Sequence, residues 1–338
     1  MRPIRRKRPW HARDARTTLI AALACSLLVG CSPRTETEPD TPQSAFAFLA
    51  DDRAFTNEGE IEPAHWAVIP ARSAIAEGRT PKLFPSGGAL LVGPAETGQG
   101  WTVHRPGGEK TDLPAFDFVA FAGPDHIEAT DTDGRALIGA DASVQRPPEN
   151  VIAISVGPEA RIAILRDDGQ LALVEELGAI GTVLVDRVWS GELSRRDAAI
   201  AWIGPDHVAV GARVAGRPET ALVHLSGPTV LERQPRSEVV APGHGRAAAL
   251  RNIEGGAIVV VRPDPTHRTG LRAQLFEHPA RLRVISISPD AEAVLLRETR
   301  EVLAETETIY TVQSIGRLYE PGRSLPQNAA LVGWIPKD

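Results

Sequence analysis

Sulfur is almost missing from this chain: its 338 residues hold two cysteines and one methionine. Two cysteines cannot build a disulfide framework or a four-cysteine zinc site. Positive charge is not in excess either, because 37 Lys and Arg against 43 Asp and Glu leave a formal charge of −6. That balance gives no electrostatic footprint for a phosphate backbone, so nucleic acid is not an expected partner. Arginine supplies 33 of the 37 basic residues, scattered among acidic ones without forming a patch. Aromatic residues make up only 5%. Gly-x-Ser-x-Gly, His-Glu-x-x-His, Gly-x-x-x-x-Gly-Lys and the strand-to-helix dinucleotide fingerprint are all absent. No catalytic, cofactor-binding or metal-binding residue is therefore assigned from the sequence, and no cofactor is implied.

What is present begins with the N-terminus. Arg2, Arg5, Arg6, Lys7, Arg8, Arg13 and Arg16 precede an uncharged run from Thr17 to Gly30. A basic stretch ahead of an apolar one is the pattern of a secretory signal peptide. The run is about fourteen residues long, whereas a bilayer-spanning helix needs roughly twenty. Leu28-Val29-Gly30-Cys31 resembles a bacterial lipobox. The resemblance implies cleavage before Cys31, lipid attachment at Cys31, and an exported protein anchored to the cell membrane or outer membrane. Ser32, next in line, implies transport to the outer membrane if the envelope is Gram-negative. Removing residues 1–30 takes Cys25 away and leaves a formal charge of −12, so the mature chain keeps no free thiol.

Residues 31–43 hold the cysteine and then only Ser, Pro, Arg, Thr, Glu, Asp and Gln. They read as a flexible tether, since such a composition cannot offset its ordering entropy by burial. The domain proper is expected over residues 44–338. Within it, Ser44–Ala50 reads as a strand or a short helix and Trp66–Ile69 as a strand.

From residue 81 the chain repeats. Short apolar runs end at Pro85, Pro124, Pro158, Pro205, Pro242, Pro289 and Pro336, 34 to 47 residues apart and about 42 on average. This is the period of four-stranded propeller blades. Each mark is followed by paired apolar runs across a tight turn, as in Arg161–Leu165, Asp168-Gly169 and Leu171–Val174. The expected fold is an all-β propeller, with a β-sandwich as the competing architecture. Val284–Ile287, Ser288-Pro289-Asp290 and Ala293–Leu296 together resemble the blade turn of TolB-like and related WD40-like bacterial propellers, with Ala291 in place of the family's glycine. The seventh mark stands two residues before the C-terminus, so its blade must borrow strands. Residues 44–80 are the spare material, and seven blades are expected, or six if 44–80 stay outside the ring.

A few residues are candidates for chemistry. His126 and His207 follow equivalent Pro-Asp turns and His244 lies close to the same place in a third repeat, where a ring could bring them together around a metal. The competing reading is three turn residues. Asp131-Thr132-Asp133-Gly134 has part of a calcium-loop pattern but lacks the further ligands and reads as a hairpin turn. Thr97-Gly98-Gln99-Gly100-Trp101 is similar to one element of quinoprotein-like propellers. Trp101, Trp189, Trp202 and Trp334 are expected to pack blades. Function is expected to be that of a lipid-anchored envelope module that binds or scaffolds another envelope protein. The alternatives are a metal-dependent envelope lyase or hydrolase, or a small-ligand sensor, using the propeller funnel.

Overall fold

A computed structural model describes residues 44–336, apart from 51–52, 57–58, 61–64, 97–98, 117, 178–180, 192, 195–196, 228, 243–244, 253–257, 267–269, 277–281, 303–304 and 316–321. Cys31, the leader and the tether lie outside the described residues, as do His244, Thr97 and Gly98. The chain opens with strands β1 (Ser44–Ala50), β2 (Arg53–Thr56) and β3 (Gly59–Glu60), followed by helix α1 (Val68–Ala76). Blade 1 is β4 to β7 (Pro81–Leu83, Leu90–Val92, Trp101–His104, Lys110–Leu113). Blade 2 is β8 to β11 (Phe118–Gly123, His126–Asp131, Gly134–Gly139, Val144–Gln145), and blade 3 is β12 to β15 (Val151–Val156, Ile162–Arg166, Leu171–Val174, Thr182–Val185). Blade 4 comprises β16 to β19 (Ala199–Trp202, His207–Val214, Arg217–His224, Thr229–Pro235) and blade 5 β20 to β23 (Ser237–Pro242, Ala248–Asn252, Ile258–Pro263, Leu271–Phe276). Blade 6 is β24 to β27 (Leu282–Ile287, Ala293–Val302, Glu305–Ser314, Arg323–Ser324), and the last strand is β28 (Ala330–Pro336).

Blades 1 to 6 each form a four-stranded antiparallel sheet, and the seventh sheet has the order β28-β1-β2-β3. The fold is a seven-bladed β-propeller whose last blade joins one C-terminal strand to three N-terminal ones. Closure removes the two long edges that an open array of blades would expose. All seven proline marks fall at or just after the innermost strand of a blade. There proline presets the turn and removes a donor that a continuing strand would need.

The core is distributed between blades. Among the described residues, seven clusters of buried side chains each join two neighbouring blades. Blade 4 shows why its strands are apolar on successive residues. Ile200, Trp202, Val208 and Val210 face blade 3, while Ala201, Ile203 and Ala209 face blade 5. Period-two alternation persists, but both faces are covered.

One sequence expectation is corrected. Trp66–Ile69 is not a strand: Val68–Ala76 forms α1, which buries Val68, Ala71 and Ala74 against blades 7 and 1. Those burials come at helical spacing, and Pro70 sits in the first turn, where the backbone N–H has no intrahelical acceptor anyway. The helix therefore covers the seam while the closing strands come from Ser44–Glu60.

The Ser288-Pro289-Asp290 turn has a local cause. Ser288 is fully buried; its hydroxyl donates to the Asp290 carboxylate and accepts the Ala293 N–H at 2.9 Å. Ala291 sits at φ 60°, the left-handed region that glycine adopts without strain. A similar mismatch offers a stabilising change elsewhere. β17 and β18 are joined by Ala215-Gly216 with φ of 49° and 78°, a two-residue turn that favours Asn-Gly. Ala215→Asn should stabilise the fold by about 0.5–1 kcal/mol, read as a shift in denaturant midpoint at unchanged slope.

Candidate functional site

The innermost strands of a propeller bound its central channel, so their side chains decide what the channel can hold. In five blades that strand carries one more residue than its partner, bulging between Ala47 and Phe48 of β1's pairing and within β8, β12, β20 and β24. A bulge re-aims the side chain at its extra position. In β24 that residue is Ile285, an exposed isoleucine on the channel wall.

The ring is not evenly open. β20 and β8, from blades 5 and 2, approach within 8 Å between Cα atoms. On the side of this pinch that holds blades 6, 7, 1 and 2, the channel widens into a cavity of about 390 Å³. Leu83 and Lys82 of β4, Ala120 and Phe121 of β8, Ile285 and Ser286 of β24, and Leu331–Trp334 of β28 line it. The cavity straddles the closure seam and exists only because β28 has joined β1. Gly333 is required there: at φ 150°, a Cβ would lie 2.8 Å from Leu83 Cβ. Trp334 is held edge-on to Phe46, with centroids 5.1 Å apart, and its indole N–H donates to the Ser286 hydroxyl at 3.0 Å.

Lys82 is the charged side chain of this apolar wall. It makes no hydrogen bond or ion pair with any described residue, and burial lowers the pKa of its ammonium. Desolvation disfavours the charged form, and no carboxylate offsets it. Sequence reading passed over Lys82, although a signal existed. The third residue before the blade-turn proline is Phe121, Ser155, Trp202, Val239, Ser286 or Gly333 in the other six blades, and the chain has only four lysines.

The other candidate residues that the structure describes lie apart from this cavity or pack between blades. His126 opens β9 and His207 opens β17, equivalent positions separated by a whole blade. His207 lies against His224 with centroids 4.7 Å apart and ring planes tilted by 48°, and burial lowers the His126 pKa despite Asp125 and Asp141 nearby. Among the described residues no three His, Cys, Asp or Glu side chains are grouped closely enough to hold a metal. Asp131–Gly134 is the β9–β10 turn, where Asp131 accepts the Asp133 N–H at 2.9 Å and is gripped by Arg146 at 2.6 and 3.0 Å. Trp189, Trp202 and Trp334 are buried between blades. The Trp202 indole donates to the Ser155 carbonyl at 3.2 Å and lies flat over Gly157, where a Cβ would come within 2.2 Å of the ring. Trp101, partly buried against blades 1 and 2, donates to the Phe116 carbonyl at 3.3 Å.

Neither protein-family models nor curated protein sequences match this chain. Solved structures do resemble it at low identity. PorZ, a bacterial surface component of the type-IX secretion system of Porphyromonas gingivalis, is 11% identical with a TM-score of 0.46, covering 70% of this chain and 31% of its own. This chain thus spans about a third of PorZ's length. A eukaryotic initiation factor is 11% identical over 87% of this chain and 98% of its own, at a TM-score of 0.43. The WD40 domain of Toxoplasma gondii coronin is 9% identical over 74% and 67%, at 0.39. The fold assignment rests on the seven closed sheets themselves.

Proposed function

We propose that this chain is an exported bacterial lipoprotein, anchored through a lipidated Cys31, whose TolB-like propeller docks another envelope protein. The leader and lipobox support the anchor. Strand β15 supports the docking role. Among the described residues, of the outer strands of four residues or more β15 alone carries no charged residue: its Thr182-Val183-Leu184-Val185 forms the outer edge of blade 3, with Val183 43% exposed. The comparable edges of blades 1, 4 and 5 are guarded by Lys110, Asp112, Glu232, Arg233 and Arg272. An uncharged β-branched edge is a template for an added strand, and exposed edges are otherwise blunted with charge.

A photo-crosslinking residue at Val183 should capture one envelope protein in native membranes, while the same residue at Arg272 should not. The Val183→Lys protein should lose that partner in co-purification. Equal capture at both positions, or none at 183, would overturn the docking role. Cys31→Ser should release the protein from the membrane fraction; unchanged fractionation would refute the anchor.

A further inference from the structure

The seam cavity suits a ligand that the docking role does not require. We propose that it binds a small amphipathic monocarboxylate, with its apolar body between blades 6, 7, 1 and 2 and its carboxylate against the Lys82 ammonium. The cavity's 390 Å³ lies near the lower end of the range for small-molecule sites, ~300–1,000 Å³. Its wall is built from Phe46, Leu83, Phe121, Ile285, Leu331 and Trp334, surfaces that release water on covering an apolar group.

Charge then narrows the class. The Lys82 ammonium is partly buried in this wall with no carboxylate beside it among the described residues, and an entering carboxylate supplies one. A neutral ligand would cover Lys82 and leave it unpaired. A phosphate dianion or dicarboxylate would bring a second negative charge that no other cationic side chain of the cavity meets. One positive charge in an apolar cavity therefore matches one negative charge on an apolar body. The pinch between β20 and β8 bounds the cavity sideways, on the flank away from the closure seam.

The test uses the full chain carrying Cys31→Ser, so that no lipid competes, titrated calorimetrically with octanoate and with octanol. Octanoate should bind at least tenfold more tightly than octanol. Lys82→Met should remove that preference by weakening octanoate binding without weakening octanol binding, and Ile285→Trp, which fills the cavity, should eliminate both. The octanoate-to-octanol comparison on the Lys82 protein needs no folded variant. Equal binding of the two probes, no octanoate binding, or octanoate binding that survives Lys82→Met or Ile285→Trp would overturn the proposal.

Discussion

Deleting Ala329–Asp338 should abolish the cooperative thermal transition, not merely lower its midpoint. β28 is the innermost strand of the closing blade, and its loss exposes one edge of β1 and strips Val332 and Trp334 from the layers that join blade 7 to blades 1 and 6. Trp334 is 3% exposed in the cluster that joins blades 6 and 7. Burying one such aromatic removes roughly 150–250 Å² from water, on the order of 4–6 kcal/mol at about 25 cal/mol per Å². Leu331 and Val332 add to this, and a domain's whole stability is only about 5–15 kcal/mol. A calorimetric scan with a single sharp endotherm for the truncated chain would refute this account of closure. The same deletion removes the β28 wall of the seam cavity, so fold and candidate site should be lost together.

Arg135→Met should be the most damaging substitution among the ion pairs. Glu128 of β9 is 8% exposed and its carboxylate accepts from the Arg135 guanidinium of β10. Leu137, which pairs with Glu128, belongs to the layer between blades 2 and 3. Burial raises the Glu128 pKa, and Arg135 opposes that rise by charge and hydrogen bond. Removing the arginine strands a carboxylate in a dry interface, at a cost of about 3–5 kcal/mol near neutral pH.

The pH dependence has a definite sign. With its folded-state pKa above the unfolded value, Glu128 binds its proton more tightly in the folded chain. Its stabilising contribution is therefore greatest below the ordinary carboxylate pKa and is lost as pH rises through the folded value. In Arg135→Met the folded value rises further, so the deficit should shrink on acidification as Glu128 becomes neutral. Replacing both residues by methionine should recover most of the loss at neutral pH. Urea melts between pH 4 and pH 8 would show this, and a deficit independent of pH would contradict it.

How much of this was legible in the sequence varies with the range of the interaction. The blade period was legible because each inner strand ends in its own proline turn, and a proline acts on its immediate neighbours. Closure was legible from a count, since a single apolar run carries the seventh proline mark while spare apolar segments precede the first one. The helix at Val68–Ala76 was misread because a four-residue apolar run carries little periodicity, and the positions that decide it, Ala71 and Ala74, are small residues that only packing marks as core.

Lys82 and Glu128 are a different case. In the sequence Glu128 is one acidic residue among 43 and Lys82 one basic residue among 37. Local pattern set the strands, their turns and the number of blades. Only tertiary structure decided that Glu128 would lie between two blades against Arg135, that β20 would crowd β8, and that Lys82 would face a cavity made by strands more than two hundred residues away. The reason is physical: backbone turns are governed by neighbours in the chain, whereas desolvation depends on which distant surfaces meet.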